Sequence, residues 1–337
     1  MAFSAPDATV MDVYELGGST LKGAGPLTEQ LMNIIYNIDP FDNPVVAMLP
    51  RDKANGVLDQ WQVDSNPAVS TIDTGTYEGA EFDAEALSTP TRLSNVTMIL
   101  RADLKVSGTS EAVELAGISD IYGYHVGKLT KTIGNKMETV LLDPSVTFLA
   151  GTSTADVRVM RNFNSFLTSE GAAVITALPA ATNVSSISED DFNDGLQEMW
   201  ANGARTRVAV VDAATIRQIQ STFLGISKTV TDPNLQAAAA NRRNSMADVG
   251  GMDATVEFYK SPFGMITFIL DRWLPNTSNA NSRIYCIDRE YASIAWLRPL
   301  KHKFLGDTGD STRGMIVGEF TLRVGNPKAH YMFQGTA

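Results

Sequence analysis

The chain has 337 residues, 44% of them apolar and 19% charged, and a formal net charge of −11. That length supports two or three lobes with real cores, in a composition ordinary for a globular protein. The acidic balance argues against general nucleic-acid binding, which needs lysine and arginine on phosphates, although a wall that stores nucleic acid need not grip it.

Residues 1–50 read as an extended arm around one short helix, whose apolar side is Leu27, Leu31, Ile34 and Ile35. NIDPFDNP (37–44) then breaks that helix with two prolines. So long an arm needs another surface to lie on; the alternative is a disordered terminus. Two strands follow. In VLDQWQVD (57–64), Val57, Trp61 and Val63 point one way, and Leu58 breaks the alternation. In NVTMILRADLKV (95–106), Val96, Met98, Leu100, Ala102, Leu104 and Val106 alternate with mostly polar partners. Residues 54–91 hold seven acidic side chains and no basic one. The two strands therefore predict a long two-stranded arm with a negative tip. An isolated hairpin is marginal in water, so this one calls for a partner to dock on; a simply solvated acidic loop is the other reading.

Residues 117–142 predict one long helix. Ile118, Tyr122, Val126, Leu129, Ile133, Met137 and Val140 recur at steps of three and four, the period of one helix face. Ser119 or Asp120 caps the start, and Asp143-Pro144 stops the end. Lys128, Lys131, Asn135 and Glu138 fall on the wet side. Gly123, Gly127 and Gly134 line one edge of the apolar stripe, which predicts close packing there, since each costs about 1 kcal/mol relative to alanine. Beyond it, Arg158 and Arg161 sit in a looping segment. Residues 188–204 predict a helix capped by Ser188 and Asp191, with Phe192, Leu196 and Met199 as its buried face. A short buried strand at 207–211 and a capped helix at 212–223 add up to an α/β lobe. Residues 234–244 read as helical with Arg242 and Arg243 exposed. A hairpin turning at Pro262-Phe263-Gly264, a strand at 283–290 and a long strand at 315–324 complete the chain.

Recognisable chemistry is missing from the pattern. His125, His302 and His330 are scattered, with no metal-ligand spacing to another histidine or to cysteine. There is no nucleophile elbow, phosphate loop or dinucleotide fingerprint. Asp307, Asp310 and Glu319 could approach a cation, but Asp-x-Gly-Asp before a strand reads better as a turn. Cys286 lies in an apolar strand where a thiol is inert, and a lone cysteine fits synthesis in a reducing cytoplasm. The start, MAFSAPDATVMDVYE, has no secretory-signal pattern, and no apolar run is long enough to span a membrane. No enzyme activity, cofactor or metal is expected.

The order of parts (arm, long hairpin with an open loop, long helix, α/β lobe, return strand) resembles the Hong Kong 97-type fold of tailed-phage major capsid proteins, an α+β fold. It is similar in particular to the branch of the phage SU10-like major head protein. The resemblance rests on NIDPFDNPVVAML (37–49), NVTMILRADLKVSGTSEAVELAG (95–117), YKSPFGMITFILDRWLP (259–275) and WLRPLKHKFLGDTGDSTRGMIVGEFTLRVGNPKAH (296–330). It implies an N-terminal arm at 1–50, an E-loop hairpin at 51–94 and a peripheral domain with a spine helix at 95–186. An axial domain at 187–294 and a return to the peripheral domain at 295–337 follow.

The implied function is self-assembly, through hexamers and pentamers, into an icosahedral shell around the double-stranded DNA of a tailed phage. The shell subunit is made in the host bacterial cytoplasm and ends in the virion. Further implied partners are a portal and separate scaffolding or decoration proteins; sequence-specific DNA binding and membrane contact are not implied. Trp61, Asp73, Glu78, Glu81, Asp83 and Glu85 become intersubunit contacts of the E-loop. Arg158 and Arg161 are their expected basic partners, with Arg92 and Lys131 in reserve, and Arg242 and Arg243 become ring contacts of the axial lobe. Two departures from the type matter. The type carries a scaffolding segment before the arm that this sequence does not show; either a separate scaffold or an already processed chain is expected, and Met1 favours the former. Residues 54–91 also hold no lysine for a covalent cross-link, so non-covalent assembly is expected. An encapsulin-like compartment on the same fold, or a cytosolic α/β enzyme, are the rival readings.

Overall fold

The structure is a computed structural model that describes residues 40–65, 77–79, 81, 89–113, 118–151, 156–170, 175–177, 187–205, 207–223, 258–274, 283–306 and 309–334. The arm helix expected near Leu27–Ile35 and the helix expected at 234–244 lie outside these residues. Two larger sheets, one two-stranded sheet and a long helix organise the rest.

The first large sheet has four strands. Its members are β1 (Arg51–Lys53), β4 (Met98–Ser107), β10 (Ala292–Leu305) and β11 (Ser311–Val324), in the order β1-β10-β11-β4. β11 runs antiparallel to both β10 and β4. Side chains alternate across a pleated strand, so Leu100, Ala102 and Leu104 share a face with Gly314, Ile316, His302 and Phe304. That face is covered by α3 (Ile121–Leu142). Tyr122 of α3 reaches His302 with its hydroxyl at 2.8 Å and stacks on Phe304 with ring centroids 5.2 Å apart.

Helix α3 follows its predicted period. Asp120 caps it by accepting from the Gly123 amide at 3.0 Å, and Asp143 ends it. Its 22 residues span about 33 Å at 1.5 Å per residue. Burial grows along it: Tyr122, Val126 and Leu129 are half-buried, while Ile133, Met137, Val140, Leu141 and Leu142 are buried. Two expectations about this helix fail. Glu138 is fully buried rather than wet. The glycine edge is not a continuous contact: a Cβ on Gly134 would meet Asn43 at 2.7 Å, but one on Gly127 would meet nothing within 4 Å.

The second large sheet has six strands in the order β5-β12-β9-β6-β8-β7. These are β5 (Ile175–Ala177), β6 (Arg207–Val211), β7 (Phe258–Ser261), β8 (Gly264–Leu270), β9 (Arg283–Ile287) and β12 (Tyr331–Gln334). β7 and β8 turn through Gly264, whose φ of 132° suits a residue without Cβ. α5 (Glu189–Ala201) starts with the expected capping box of Ser188 and Asp191. It packs Phe192 on Phe333 and Phe268, at centroid distances of 5.4 and 5.9 Å. α6 (Ala213–Phe223) follows β6, with Asp212 accepting from the Ala214 amide at 2.9 Å. Residues 295–337, grouped above as one return segment, divide between the sheets: β11 pairs with β4, but β12 pairs with β5 and β9. Among the described residues, three short α-helices, α1 (Pro44–Met48), α2 (Gly108–Ala112) and α4 (Phe163–Ser169), and a 3-10 turn at Pro327–Ala329 complete the elements.

The hairpin strands are β2 (Leu58–Val63) and β3 (Thr91–Val96), which form the two-stranded sheet. The single strand expected over 95–106 is therefore split at Thr97. Its first two residues pair with β2, and the rest, β4, pairs with β11. Thr97 is fully buried; its amide donates to the Val57 carbonyl at 2.8 Å and its hydroxyl to Glu319 at 2.7 Å. Those two bonds hold the crossing from one sheet to the other.

Candidate assembly interface

The root of the hairpin is fastened to β11 step by step. Thr321 donates to the Val96 carbonyl at 2.9 Å, Asn95 to the Leu322 carbonyl at 2.7 Å, and the Trp61 indole to the Val324 carbonyl at 2.9 Å. Asn95 uses its whole amide: Nδ2 also donates to the Arg161 carbonyl at 3.1 Å, and Oδ1 accepts from the Arg161 and Val96 amides at 2.8 and 2.9 Å. Arg323 adds an ion pair, donating from Nε and Nη2 to the two oxygens of buried Asp59 at 2.9 and 3.0 Å. Asp59 shares the inward side of β2 with Trp61 and Val63, whereas Val57 and Leu58 are exposed. The root is thus rigid, and the acidic segment begins only beyond Val63.

A second fastening joins the arm, α3 and the end of β8. Buried Glu138 accepts the Val45 and Val46 amides, the first turn of α1, at 2.6 and 2.8 Å. Asp271, also buried, is hydrogen-bonded to Glu138 and accepts the Trp273 amide at 2.7 Å. The Trp273 indole closes the circuit on the Asp42 carbonyl at 3.0 Å. Burial first, and then the hydrogen bond with Asp271, push the Glu138 carboxyl up to about 8, against the two amides that pull it down. Asp271 is also raised, by burial and by the charge of Asp42, while the Trp273 amide and Glu138 oppose the rise. Glu138 is therefore the proton donor of the pair at neutral pH, and Asp271 the acceptor.

A third fastening is centred on Glu319, which is buried and shared by Arg158 at 2.9 Å, Arg298 at 2.8 Å and Thr97. With its carboxylate so occupied, Glu319 does not fit a cation loop with Asp310; Asp307 lies outside the described residues. Among the described residues no group of three or more acidic, histidine or cysteine side chains is arranged to hold a metal, and no helix is long and apolar enough to cross a membrane. His330 is fully buried, its Nδ1 accepting the Asp288 amide at 3.1 Å, and burial pushes its imidazole down to about 4. Cys286 is buried in β9.

The expected contact residues separate into three groups. Glu78, Glu81 and Arg92 are exposed, and Lys131 is exposed with its ammonium 5.8 Å from the Phe41 ring. Trp61, Arg158 and Arg161 are committed to their own subunit. Trp61 caps Val324 and lies 5.9 Å from Phe166; Arg158 pairs with Glu319; Arg161 pairs with Glu170 at 3.1 Å and stacks over Phe166. Asp73, Asp83, Glu85, Arg242 and Arg243 lie outside the described residues. Sequence reading missed Asn95 and Asp271, set Glu138 on the wet face and weighed Glu319 only for a cation, because burial of a polar side chain leaves no local sign in the sequence.

Residues 11–337 match the family model described as SU10 major capsid protein. A curated relative, the major capsid protein of Escherichia phage Phieco32, is 30% identical over 112 residues, 33% of this chain and 31% of that protein. The match thus spans about a third of the relative's length. Among solved structures, the chain is similar to that of Gordonia phage Cozz, with a TM-score of 0.60 at 14% identity over 98% of this chain and 99% of that one. It is similar to the capsid of Myoviridae phage XM1 with a TM-score of 0.57 at 11% identity, over 94% and 100% of the two chains. The holo-SrpI encapsulin complex from Synechococcus elongatus PCC 7942 shares the fold more loosely, with a TM-score of 0.52 at 9% identity over 92% of each chain. At these low identities the structural likeness shows the fold, which is of the Hong Kong 97 type, with its hairpin, long helix and two larger sheets. With the family match running through nearly its whole length, the chain belongs to the SU10 major capsid protein family.

Proposed function

We propose that the chain is the repeating tile of an icosahedral tailed-phage head, assembled from hexamers and pentamers around double-stranded DNA. The family match over residues 11–337 carries this reading. The geometry supports it in two ways. Among the described residues β2 and β3 pair only with each other, so a well-fastened root leads into the acidic segment, and an isolated hairpin of this kind calls for a partner. α3 ties that sheet system to the arm and to the six-stranded sheet, as a rigid tile requires.

In this reading the hairpin is the E-loop, α3 the spine of a peripheral lobe, and the six-stranded sheet the body of an axial lobe that closes the rings. The role is structural and non-enzymatic, the location is the virion, and synthesis is in the host bacterial cytoplasm. A portal completes the head, with scaffolding or decoration proteins as further partners. DNA is enclosed without sequence-specific contact.

The likeness to an encapsulin favours one second reading, a compartment shell around a protein cargo. Expression of the full chain followed by sedimentation and electron microscopy tests both. Closed particles support a shell, and a small discrete oligomer rules it out. Particles formed in the native context then separate the two: double-stranded DNA inside supports the phage head, and a co-purified enzyme supports the compartment.

A further inference from the structure

The linker from β1 to β2 holds a reactive pair. It runs Ala54-Asn55-Gly56-Val57, without helix or strand, and is tied down at both ends. The Ala54 amide donates to the Trp296 carbonyl of β10 at 3.0 Å, and the Val57 carbonyl accepts the Thr97 amide at 2.8 Å. Between these anchors Asn55 is exposed, and among the described residues neither its side chain nor the Gly56 amide has a hydrogen-bond partner. Glycine after asparagine leaves the main-chain nitrogen free to reach the side-chain carbonyl, because no Cβ stands in the way. The surroundings of Gly56 are open as well: a Cβ built on it would meet only the Leu58 carbonyl oxygen, at 3.7 Å.

We propose that Asn55 is a site of spontaneous deamidation and isoaspartate formation at the base of the hairpin. The inference does not depend on the shell reading. The Gly56 nitrogen gives its proton to hydroxide and attacks Cγ of Asn55. The bond from Cγ to Nδ2 then breaks, and the leaving nitrogen takes a proton from water and departs as ammonia. Water opens the resulting succinimide. Attack at Cγ leaves aspartate in an unaltered main chain. Attack at the main-chain carbonyl leaves isoaspartate, whose main chain runs through Cβ and Cγ and is longer by a carbon. In sum one water enters and one ammonia leaves, with no oxidant, metal or cofactor.

The other Asn-Gly pair of the chain, Asn202-Gly203, supplies the contrast. Asn202 is the C-cap of α5, and its Nδ2 donates to the Glu198 carbonyl at 2.9 Å. The Gly203 amide donates to the Trp200 carbonyl at 3.0 Å. Leaving group and nucleophile are therefore both held, whereas at Asn55 and Gly56 both are free. One dipeptide thus has two fates, and only the fold separates them. The consequence at Asn55 falls on the hairpin. Isoaspartate lengthens the main chain between the Ala54 and Val57 anchors, and either product adds a carboxylate there. The bond from Thr97 to Val57, which holds the crossing between sheets, is the contact expected to weaken.

The test ages the folded, full-length protein in heavy-oxygen water at mildly alkaline pH. Digestion in ordinary water follows, so that conversion during handling stays light, and mass spectrometry with fragmentation separates isoaspartate from aspartate. Asn55 is expected to lose its amide, take up heavy oxygen and yield both products, faster as pH rises, while Asn202 keeps its amide. In urea the two sites are expected to react alike. Retention of the Asn55 amide in the folded protein, or loss of the Asn202 amide at the same rate, overturns the proposal. Gly56→Ala gives an independent arm. The open surroundings admit the added Cβ, so circular dichroism is expected to match the parent while loss of the Asn55 amide slows several-fold. An unchanged rate overturns the route through the Gly56 nitrogen. Hydrogen exchange reads the consequence: the Thr97 amide is expected to exchange faster in aged parent protein than in fresh parent or aged Gly56→Ala. Equal exchange in all three overturns the weakened crossing.

Discussion

Glu138 of α3 and Asp271 after β8 share a hydrogen bond in a buried site, and Glu138 at the same time accepts the first two amides of α1. One side chain therefore joins three separate parts of the chain. Asp42 is the further acid acting on the pair, and among the described residues no cation pairs with any of the three. The native pKa of Glu138, about 8, lies above its ordinary value of 4.5, so between those limits the folded state holds a proton that the unfolded state has lost. Stability contributed here is fully present below about 4.5 and falls as pH rises through about 8. Glu138→Gln keeps a donor for Asp271 but gives up one amide contact, costing about 1 kcal/mol at pH 5. Melting temperature against pH is expected to fall less steeply in this variant than in the parent over pH 5–8. Parallel curves contradict the shared proton.

Asn95 offers a sharper test of the hairpin root. Its amide satisfies two carbonyls and two N–H groups, and Asn95 is itself 1% exposed. Asn95→Asp removes both of its donors, so the Arg161 and Leu322 carbonyls then face a carboxylate oxygen. A loss of about 2–4 kcal/mol is expected in urea unfolding, since unmet buried polar groups cost about 1–3 kcal/mol each. A change under 0.5 kcal/mol, on the order of a neutral surface substitution, contradicts the assignment.

Around Glu319 the expected losses follow exposure. Glu319→Ala leaves Arg158, Arg298 and Thr97 without their shared acceptor and is expected to cost about 2–3 kcal/mol. Arg298→Ala, at a side chain 53% exposed, is expected to cost under about 1 kcal/mol, with Arg158→Ala between the two. Urea unfolding of the three variants checks the order. Charge reversal at Arg158 accordingly damages its own subunit, which makes it a poor probe of contacts between subunits.

The legible and illegible parts of the fold differ in kind. The 3.6-residue period announced α3, with its Asp120 start and Asp143 stop, because local geometry alone sets that period. The capping box at Ser188 was legible for the same reason. Alternation revealed the faces of β4 but hid the break at Thr97, since a strand that changes partners keeps its period of two. The Arg158–Glu319 pair spans 161 positions, and no local pattern announces a partner so far away.

Two glycines give opposite expectations for one substitution. A Cβ on Gly195 of α5 would lie 2.6 Å from both Tyr331 and Phe333, so Gly195→Ala is expected to destabilise by about 1–3 kcal/mol. Gly127 of α3 is exposed with nothing within 4 Å, and Gly127→Ala is expected to stabilise the free subunit by about 0.5–1 kcal/mol through helix propensity. Thermal melts of unassembled subunits report both. Destabilisation of the free subunit by Gly127→Ala contradicts the open environment at that edge.

The central claim is that this chain is a shell tile whose hairpin acts on a neighbour. Electron cryomicroscopy of particles assembled from the full chain tests it most directly. The account predicts closed icosahedral particles in which β2 and β3 leave past Val324 of their own subunit and the hairpin reaches the next subunit. A discrete small oligomer, or a hairpin folded back on its own subunit in every copy, contradicts it.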